Sequence, residues 1–131
     1  MPTLSIASTA REVFIDLTSD LQALVQSQGW TGGAVLLFCP HTTSGLTINE
    51  GADPDVRRDL LTTLRRLIPE HGDYRHAEGN SDAHLKASLM GSSVLVPLEA
   101  GKLVLGTWQA VYLCEFDGPR PRRIQVSHLP G

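Results

Sequence analysis

The segment that begins at His41 places an imidazole next to three hydroxyl side chains, those of Thr42, Thr43 and Ser44. Hydroxyl groups and backbone amides near a glycine can hold an anion, or they can orient an imidazole that binds a metal ion. A histidine at the end of a strand also often serves only as a hydrogen-bonding turn residue. The segment therefore indicates either an anion or metal site, or a hydrogen-bonded turn.

Two further histidines lie near the predicted start of a helix. His76 belongs to a polar, glycine-containing loop, and His84 falls in the first turn after a cap at Asn80 or Ser81. A helix N-terminus offers unpaired N–H groups and a positive dipole end, so it attracts a phosphate and favours a neutral imidazole. The spacing of the two histidines is not a zinc motif by itself. A metal site and a plain anion site are both open interpretations.

Glu50 is an acidic residue that follows the hydroxyl segment. A tight turn after His41 would start a hairpin and would put Glu50 about 13 Å along it, at about 3.3 Å per residue. Glu50 then belongs to the His41 site only if the connection is wider or a neighbouring subunit supplies it. The alternative is a carboxylate that caps the loop near Asp53.

Three arginines cluster beside the predicted turn at residues 117–119, namely Arg120, Arg122 and Arg123. A hairpin tip of this kind is usually a solvated turn. The alternative is a clamp for a substrate phosphate, which bidentate guanidinium geometry favours. Trp108 is expected to belong to the core and Gln109 to be a satisfied amide, rather than to form a stacking platform.

The composition limits the classes of protein to which the chain can belong. It has 131 residues, 41% of them hydrophobic, which suits one domain over residues 1–131 with a core that needs no structural metal. The net charge of −3 argues against nucleic-acid binding. Neither a signal peptide nor an apolar run of the ~20 residues that span a membrane is evident, so a cytoplasmic location is expected. Cys39 and Cys114 lie in apolar runs and are expected to be buried thiols.

Hydrophobic alternation and turn residues predict the strands that must position these side chains. The predicted strands cover residues 4–9, 12–17, 34–39, 46–50, 93–98, 102–105, 107–116 and 123–128. The run 34–39 is apolar on both faces, which indicates a central strand that is covered on both sides.

Cap signals predict the helices between these strands. One helix begins near residues 18–20 and ends at Gly29, a second begins at Asp53 and Pro54 and ends at Pro69, and a third runs to Met90. Because strands dominate, the pattern predicts an α+β fold with two packed, largely antiparallel sheets and two or three inserted helices.

Several motifs occur together and in order along the chain. They are the run from His41 to Glu50 with Asp53–Pro54, the run from Asp82 to Ser92 with Pro97, the segment Gly106–Gln109 and the segment Gly118–Arg123. Together they resemble the YjbQ-like family, whose members are described as secondary thiamine-phosphate synthases. The matches extend from about residue 11 to residue 126, so the resemblance covers nearly the whole chain.

The resemblance implies an α+β fold, a homotrimer, and a divalent metal ion, zinc being the candidate, or an anion at the histidines. The candidate metal ligands are His41, His76 and His84. The candidate catalytic residues are Asn49, Glu50 and Gln109, and Trp108 matches an aromatic motif position. The candidate residues for binding a substrate anion are Thr42, Thr43, Ser44 and Arg120.

These features together predict a metal-assisted enzyme that acts on a phosphorylated small molecule. The activity attributed to the family joins a pyrimidine diphosphate to a thiazole phosphate and yields thiamine phosphate and pyrophosphate. Such chemistry needs a cation and hydrogen-bond donors on the leaving diphosphate more than a strong base. The alternative is a non-catalytic trimer that binds an anion or a metabolite at the same histidines. No nucleic-acid or membrane partner is expected.

Overall fold

The computed structural model describes all 131 residues and contains eight strands and three helices. The strands are β1 (Thr3–Ala7), β2 (Val13–Asp16), β3 (Ala34–Phe38), β4 (Ser44–Glu50), β5 (Ser93–Glu99), β6 (Lys102–Leu103), β7 (Gln109–Glu115) and β8 (Pro121–Leu129). The helices are α1 (Thr18–Gln28), α2 (Pro54–Leu67) and α3 (Ser81–Met90). None of the three helices combines the length and the apolar character that a membrane crossing requires.

The strands divide between two antiparallel sheets. The five-stranded sheet has the order β1-β8-β3-β5-β6, and the three-stranded sheet has the order β2-β7-β4. The predicted α+β fold with two antiparallel sheets is therefore confirmed.

Two hydrophobic clusters hold three layers together. The larger cluster fills the space between the sheets and includes Leu21 and Val25 of α1. The smaller cluster lies on the other face of the three-stranded sheet, where α2 contributes Leu64 and α3 contributes Ala83 and Ala87. Because side chains alternate along a strand, β7 supplies residues to both clusters.

The strand that is covered on both faces is β7 and not β3. Six of the seven residues of β7 are buried. β3 is central in its sheet, but only alternate residues are buried, and Phe38 on its outer face is 42% exposed. Within the single chain the double covering predicted for residues 34–39 is wrong, because an exposed apolar outer face gives the same sequence pattern as a covered one.

The connection from β3 to β4 crosses between the sheets instead of forming a hairpin. β3 pairs with β5 and β8, whereas β4 pairs with β7. The hairpin assumed for the distance from His41 to Glu50 was therefore wrong. This crossing places His41 at the edge where the two sheets meet α3.

Most of the residues predicted to begin or end a helix do so in the structure. The Asp53 carboxylate accepts a hydrogen bond from the Asp55 backbone N–H at 2.9 Å, and Pro54 occupies the first turn of α2. Gly29 ends α1 with a φ of 71°, a left-handed conformation that favours glycine. α1 differs from expectation, because the Asp16 carboxylate accepts from the Thr18 N–H at 2.8 Å and replaces the cap expected within residues 18–20.

Both cysteines are free and buried, as the sequence predicted. Burial raises the pKa of the Cys114 thiol far above its ordinary value, so this thiol stays protonated.

Candidate functional site

His41 lies on the crossing connection, and backbone atoms of β8 hold its ring. The ring Nε2 is 3.0 Å from the Arg123 backbone nitrogen and 3.1 Å from the Arg123 carbonyl oxygen. It either accepts from the N–H or donates to the carbonyl, according to the tautomer. In both cases Nδ1 is the nitrogen that is left for a ligand. Burial and the nearby Arg122 charge lower the pKa of His41, which favours the neutral imidazole.

α3 carries His84 and approaches β4 closely at Gly45. The Leu46 N–H donates to the Gly91 carbonyl at 3.0 Å. A Cβ atom on residue 45 would lie 2.7 Å from that same carbonyl oxygen. A glycine at position 45 is therefore what lets the end of α3 rest on β4.

Gly45→Ala is expected to lower the free energy of unfolding by about 1–3 kcal/mol, because the added methyl group forces α3 away from β4. Urea unfolding monitored by circular dichroism measures the change. Gly106→Ala is the control, since its Cβ would meet only the end of the Gln109 side chain, at 3.3 Å. Equal stability of the Gly45 variant and the wild type would show that the close approach is not required.

His41 and His84 face two adjoining clefts, here called the histidine clefts. The first has a volume of about 470 Å³ and is lined also by hydroxyl residues, among them Thr42, Ser44 and Ser88. The second has a volume of about 380 Å³ and has no hydrophobic residue in its lining. Further residues that line the second cleft are Thr43, Glu78, Asn80, Asp117 and Arg120. The structure thus brings the predicted hydroxyl residues, Arg120 and two of the three histidines together.

His76 packs against His84 but lies outside the histidine clefts. The two imidazole rings pack edge to face with their centroids 5.4 Å apart. His76 lines a third cleft of about 450 Å³ that also includes His84. It lines neither of the histidine clefts, so His84 is the residue common to all three.

The three hydroxyl residues differ in what they contact. The Thr43 hydroxyl accepts a hydrogen bond from Arg122 at 2.8 Å, and the Ser44 hydroxyl lies 3.3 Å from the Cys39 sulfur. Both residues are buried, whereas Thr42 is exposed. Thr42 is therefore the hydroxyl residue most accessible to a ligand.

Arg122 forms a buried ion pair beneath this segment. Its Nε donates to the Glu115 carboxylate at 2.8 Å, and only 3% of the Arg122 surface is exposed. The solvated turn expected for the arginine cluster was wrong for this residue. Burial alone would raise the pKa of Glu115, but hydrogen bonds from Arg122 and other donors outweigh it and lower the pKa. The only indication of this ion pair in the sequence was Glu115, an acidic residue inside an apolar run.

Arg120 stays at the rim of the second histidine cleft. Its guanidinium donates to the Asp117 carboxylate at 3.0 Å and to the Asp117 carbonyl at 2.7 Å. A substrate phosphate would therefore compete with Asp117 for this arginine.

The predicted catalytic residues Asn49, Glu50 and Gln109 lie at the far end of β4 from His41. β4 has seven residues, which span about 20 Å at about 3.3 Å each. Glu50 pairs with Gln109 across the sheet, and its carboxylate accepts from the Ala52 N–H at 3.0 Å. Within one chain the structure does not bring these residues to the histidines, and Glu50 caps a loop.

Trp108 differs from its expected place in the core. Its surface is 65% exposed, and it lines a shallow cleft together with Gln109, Thr18 and Ala52. The tryptophan is therefore available to contact a ligand or another chain.

A buried charge network that the sequence analysis missed fixes α3 in place. Lys86 donates to Glu12 at 2.7 Å and to Asp82 at 2.9 Å. Arg11 pairs with Asp82 at 3.0 Å, and Arg65 pairs with Glu12 at 2.7 Å. The spacing of Asp82 and Lys86 predicts an ion pair on one helix, but it does not predict burial. The network ties the helix that carries His84 to the start of β2.

The pKa of Asp82 predicts how this network responds to acid. Burial would raise the pKa, but hydrogen bonds from Arg11 and Lys86 outweigh it and lower the pKa below the ordinary value of 3.8. A carboxyl group with a depressed folded-state pKa stabilises the fold above its unfolded pKa, and this stability is lost as the pH falls through the folded pKa. We expect Asp82→Asn to be less stable than wild type at pH 7 and to lose less stability below pH 3.8. Urea unfolding at several pH values measures both effects, and parallel pH profiles would contradict the assignment.

The chain does not by itself assemble a full set of metal ligands. No group of three or more histidine, cysteine, aspartate or glutamate side chains is arranged to hold a metal ion. A structural zinc site has four protein ligands and a catalytic one usually has three. The imidazoles of His41 and His84 could supply two, so a third ligand would have to be His76 in a shifted position, a bound phosphate, water or another subunit.

Comparison with known proteins finds similarity over nearly the whole chain. The model of a protein family described as UPF0047 protein YjbQ-like matches residues 2–131. The UPF0047 protein YugU of Bacillus subtilis is 52% identical over 130 residues, which are 98% of each chain.

Two solved structures are similar to the fold described above. An uncharacterized conserved protein of the YjbQ/UPF0047 family from Clostridium acetobutylicum has a TM-score of 0.96 and 50% identity, covering 98% of this chain and 100% of that one. A conserved hypothetical protein from Thermus thermophilus has a TM-score of 0.92 and 48% identity, with the same coverage. These similarities indicate a shared fold and sequence family, and they name no reaction.

Proposed function

Because the chain belongs to the YjbQ-like UPF0047 family, we propose that it binds a phosphorylated small molecule in the histidine clefts and acts on it with a divalent metal ion. The observation that carries the proposal is that His41 and His84 share two adjoining polar clefts. Such convergence of imidazoles, hydroxyls and an arginine is suited to an anionic ligand.

The second histidine cleft offers the donors for the anionic group. The N–H groups of Ser81 and Asp82 at the start of α3 have no partner within the helix, whereas those of Ala83 and His84 donate to the carbonyl of Asn80, which lines this cleft. Thr42 and Arg120 provide further donors. Glu78 and Asp117 place two carboxylates in the same cleft as the arginines Arg120 and Arg122, so the formal charges balance and the site favours a ligand that brings a cation with its phosphate.

A divalent metal ion, for which zinc is the candidate, would be held by His41 Nδ1 and a nitrogen of His84. Donation from His41 Nε2–H to the Arg123 carbonyl would orient the ring for this role. His76 is the third candidate ligand, because its ring packs against His84. A bound metal ion would neutralise phosphate charge and stabilise a leaving diphosphate.

The specific reaction proposed is that of a thiamine-phosphate synthase, as a secondary activity. The thiazole nitrogen forms a bond to the methylene carbon of the pyrimidine, while the bond from that carbon to the diphosphate oxygen breaks. The electron pair leaves with pyrophosphate. Two adjoining clefts on either side of His41 and His84 offer room for two phosphorylated substrates.

Metal analysis and turnover assays test this function on protein purified without a nickel column. The proposal expects bound metal, and turnover of the pyrimidine diphosphate with the thiazole phosphate that stops when a chelator is added. A metal-free protein that binds phosphate without turnover would support the second candidate, a non-catalytic anion-binding protein. The local hydrogen bonds of Glu50 and Gln109 favour that candidate, since these side chains face no cleft with the histidines.

A homotrimer is proposed to bring the two ends of β4 together between subunits. The outer face of the five-stranded sheet carries apolar side chains, among them Phe38 at 42% and Leu95 at 55% exposure. Such a face is usually covered in the assembled protein. A neighbouring subunit would also supply Glu50, Gln109 and Trp108 to the histidine clefts.

Light scattering at micromolar concentration is expected to give about three times the 14.2 kDa of one chain. Leu95→Asp is expected to yield monomers, because it places a charge in the apolar face. Glu99→Gln, on the same face at the end of β5, is the matched control that should stay trimeric. A wild-type monomer with full ligand binding would exclude both the trimer and the shared site.

A further inference from the structure

The third cleft at His84 differs in chemistry from the two histidine clefts. It lies between residues 73–76 and α3 and is here called the Tyr74 cleft. Tyr74, His76 and Leu85 line it together with the charged residues Asp73 and Arg75, and Leu85 is exposed although it is apolar. An aromatic ring, an imidazole and an aliphatic side chain thus meet beside a polar site.

We propose that the Tyr74 cleft binds a nitrogen-containing aromatic ring of the same ligand whose phosphate lies in the histidine clefts, an inference that rests on the proposed function. His84 lines all three clefts. A ligand that contacts His84 from the polar side therefore lies next to the Tyr74 cleft.

The cleft has room for an aromatic ring, and its lining suits one. An apolar cavity of about 150 Å³ is enough for benzene, and the Tyr74 cleft has about 450 Å³. The rings of Tyr74 and His76 offer faces and edges for aromatic contact, which adds to the burial of apolar surface. Leu85 would be covered by the bound ring.

Ser81 indicates that the ring carries a polar atom. It lines the Tyr74 cleft, and its hydroxyl is buried without a hydrogen-bond partner in the chain. Buried hydroxyl groups are rarely left unpaired. Rotation about the Cα–Cβ bond would let this hydroxyl donate to a ring nitrogen.

Three phosphate esters test the inference with the full-length protein: methyl phosphate, benzyl phosphate and pyridylmethyl phosphate. We expect benzyl phosphate to bind about tenfold more tightly than methyl phosphate, because its ring is buried in the cleft. Pyridylmethyl phosphate should bind more tightly than benzyl phosphate, because its ring nitrogen can accept a hydrogen bond from Ser81. Dissociation constants come from NMR chemical-shift titrations.

Variants of residues in the Tyr74 cleft test whether the ring of the ester binds there. Leu85→Ser and Tyr74→Ala should reduce the preference for benzyl over methyl phosphate and leave methyl phosphate binding unchanged. Ser81→Ala should remove only the advantage of the pyridyl ring. Val104→Ser is the matched control, since Val104 is an exposed apolar residue that lines none of the three clefts.

The possible outcomes separate this inference from the proposed function. Equal binding of methyl and benzyl phosphate would overturn the ring site and leave the phosphate site standing. A preference that survives both Leu85→Ser and Tyr74→Ala would place the ring elsewhere and overturn the inference too. Failure of all three esters to bind would overturn the proposed function and the inference with it.

Discussion

Glu115→Gln should lower the free energy of unfolding by about 3–5 kcal/mol, because it leaves the Arg122 guanidinium buried beside a neutral amide. Glu115 is fully buried and Arg122 is nearly so. The carboxylate also accepts hydrogen bonds from the N–H groups of Phe116 and Asp117, each at 3.1 Å. An amide can replace only part of these interactions. Urea unfolding at a temperature where the variant still folds measures the loss.

Two further variants make this result interpretable. Arg66→Gln removes an exposed arginine of α2 that forms no ion pair, and it should change stability by less than about 0.5 kcal/mol. The double variant Glu115→Gln with Arg122→Met should recover part of the loss, since it leaves no buried charge unpaired. A single Glu115 variant as stable as Arg66→Gln would show that the buried pair contributes nothing net.

His84→Ala should reduce the affinity for a divalent metal ion and for inorganic phosphate by at least about tenfold, because His84 is common to all three clefts. His41→Ala should have the same effect. Both should leave the melting temperature within a few degrees of wild type, since the loss of a ligand does not open the core. Metal analysis and isothermal titration calorimetry measure the binding.

The chain provides a matched control for these histidine variants. His71 has a side chain that is 92% exposed and lines none of the three clefts, so His71→Ala should bind metal and phosphate as the wild type does. His76→Ala tells whether His76 is a third ligand or only packs against His84. Full metal occupancy in His84→Ala would remove His84 from the ligand set.

Local features of this protein followed from residues that are near one another in the sequence. Asp53 and Pro54 start α2 as predicted, and Gly29 ends α1, because caps depend on hydrogen bonds and φ angles within a few residues. Alternating apolar residues predicted the strands and hence the α+β class. The ordered motifs from His41 to Arg123 were enough to indicate the family.

Alternation shows that a strand has an inner face, but it does not show which strand is its partner. β3 and β4 are separated by a short segment and still join different sheets. The apolar pattern of residues 34–39 is the same whether the outer face of the strand is covered by the same chain or is left exposed. For this reason the hairpin at His41 was wrong, and so was the double covering of β3 within the single chain.

The site itself was decided by contacts between residues that are far apart in the chain. The sequence alone singled out His41, His84 and the hydroxyl residues by their types. Only the tertiary structure, through the crossing of the sheets and the fit of α3 against Gly45, placed them on shared clefts. It also placed Glu50 about 20 Å away along β4 and buried the charges of Arg122 and Lys86. Burial and proximity of this kind arise from packing between layers, and a pattern of neighbouring residues carries no information on which layers meet.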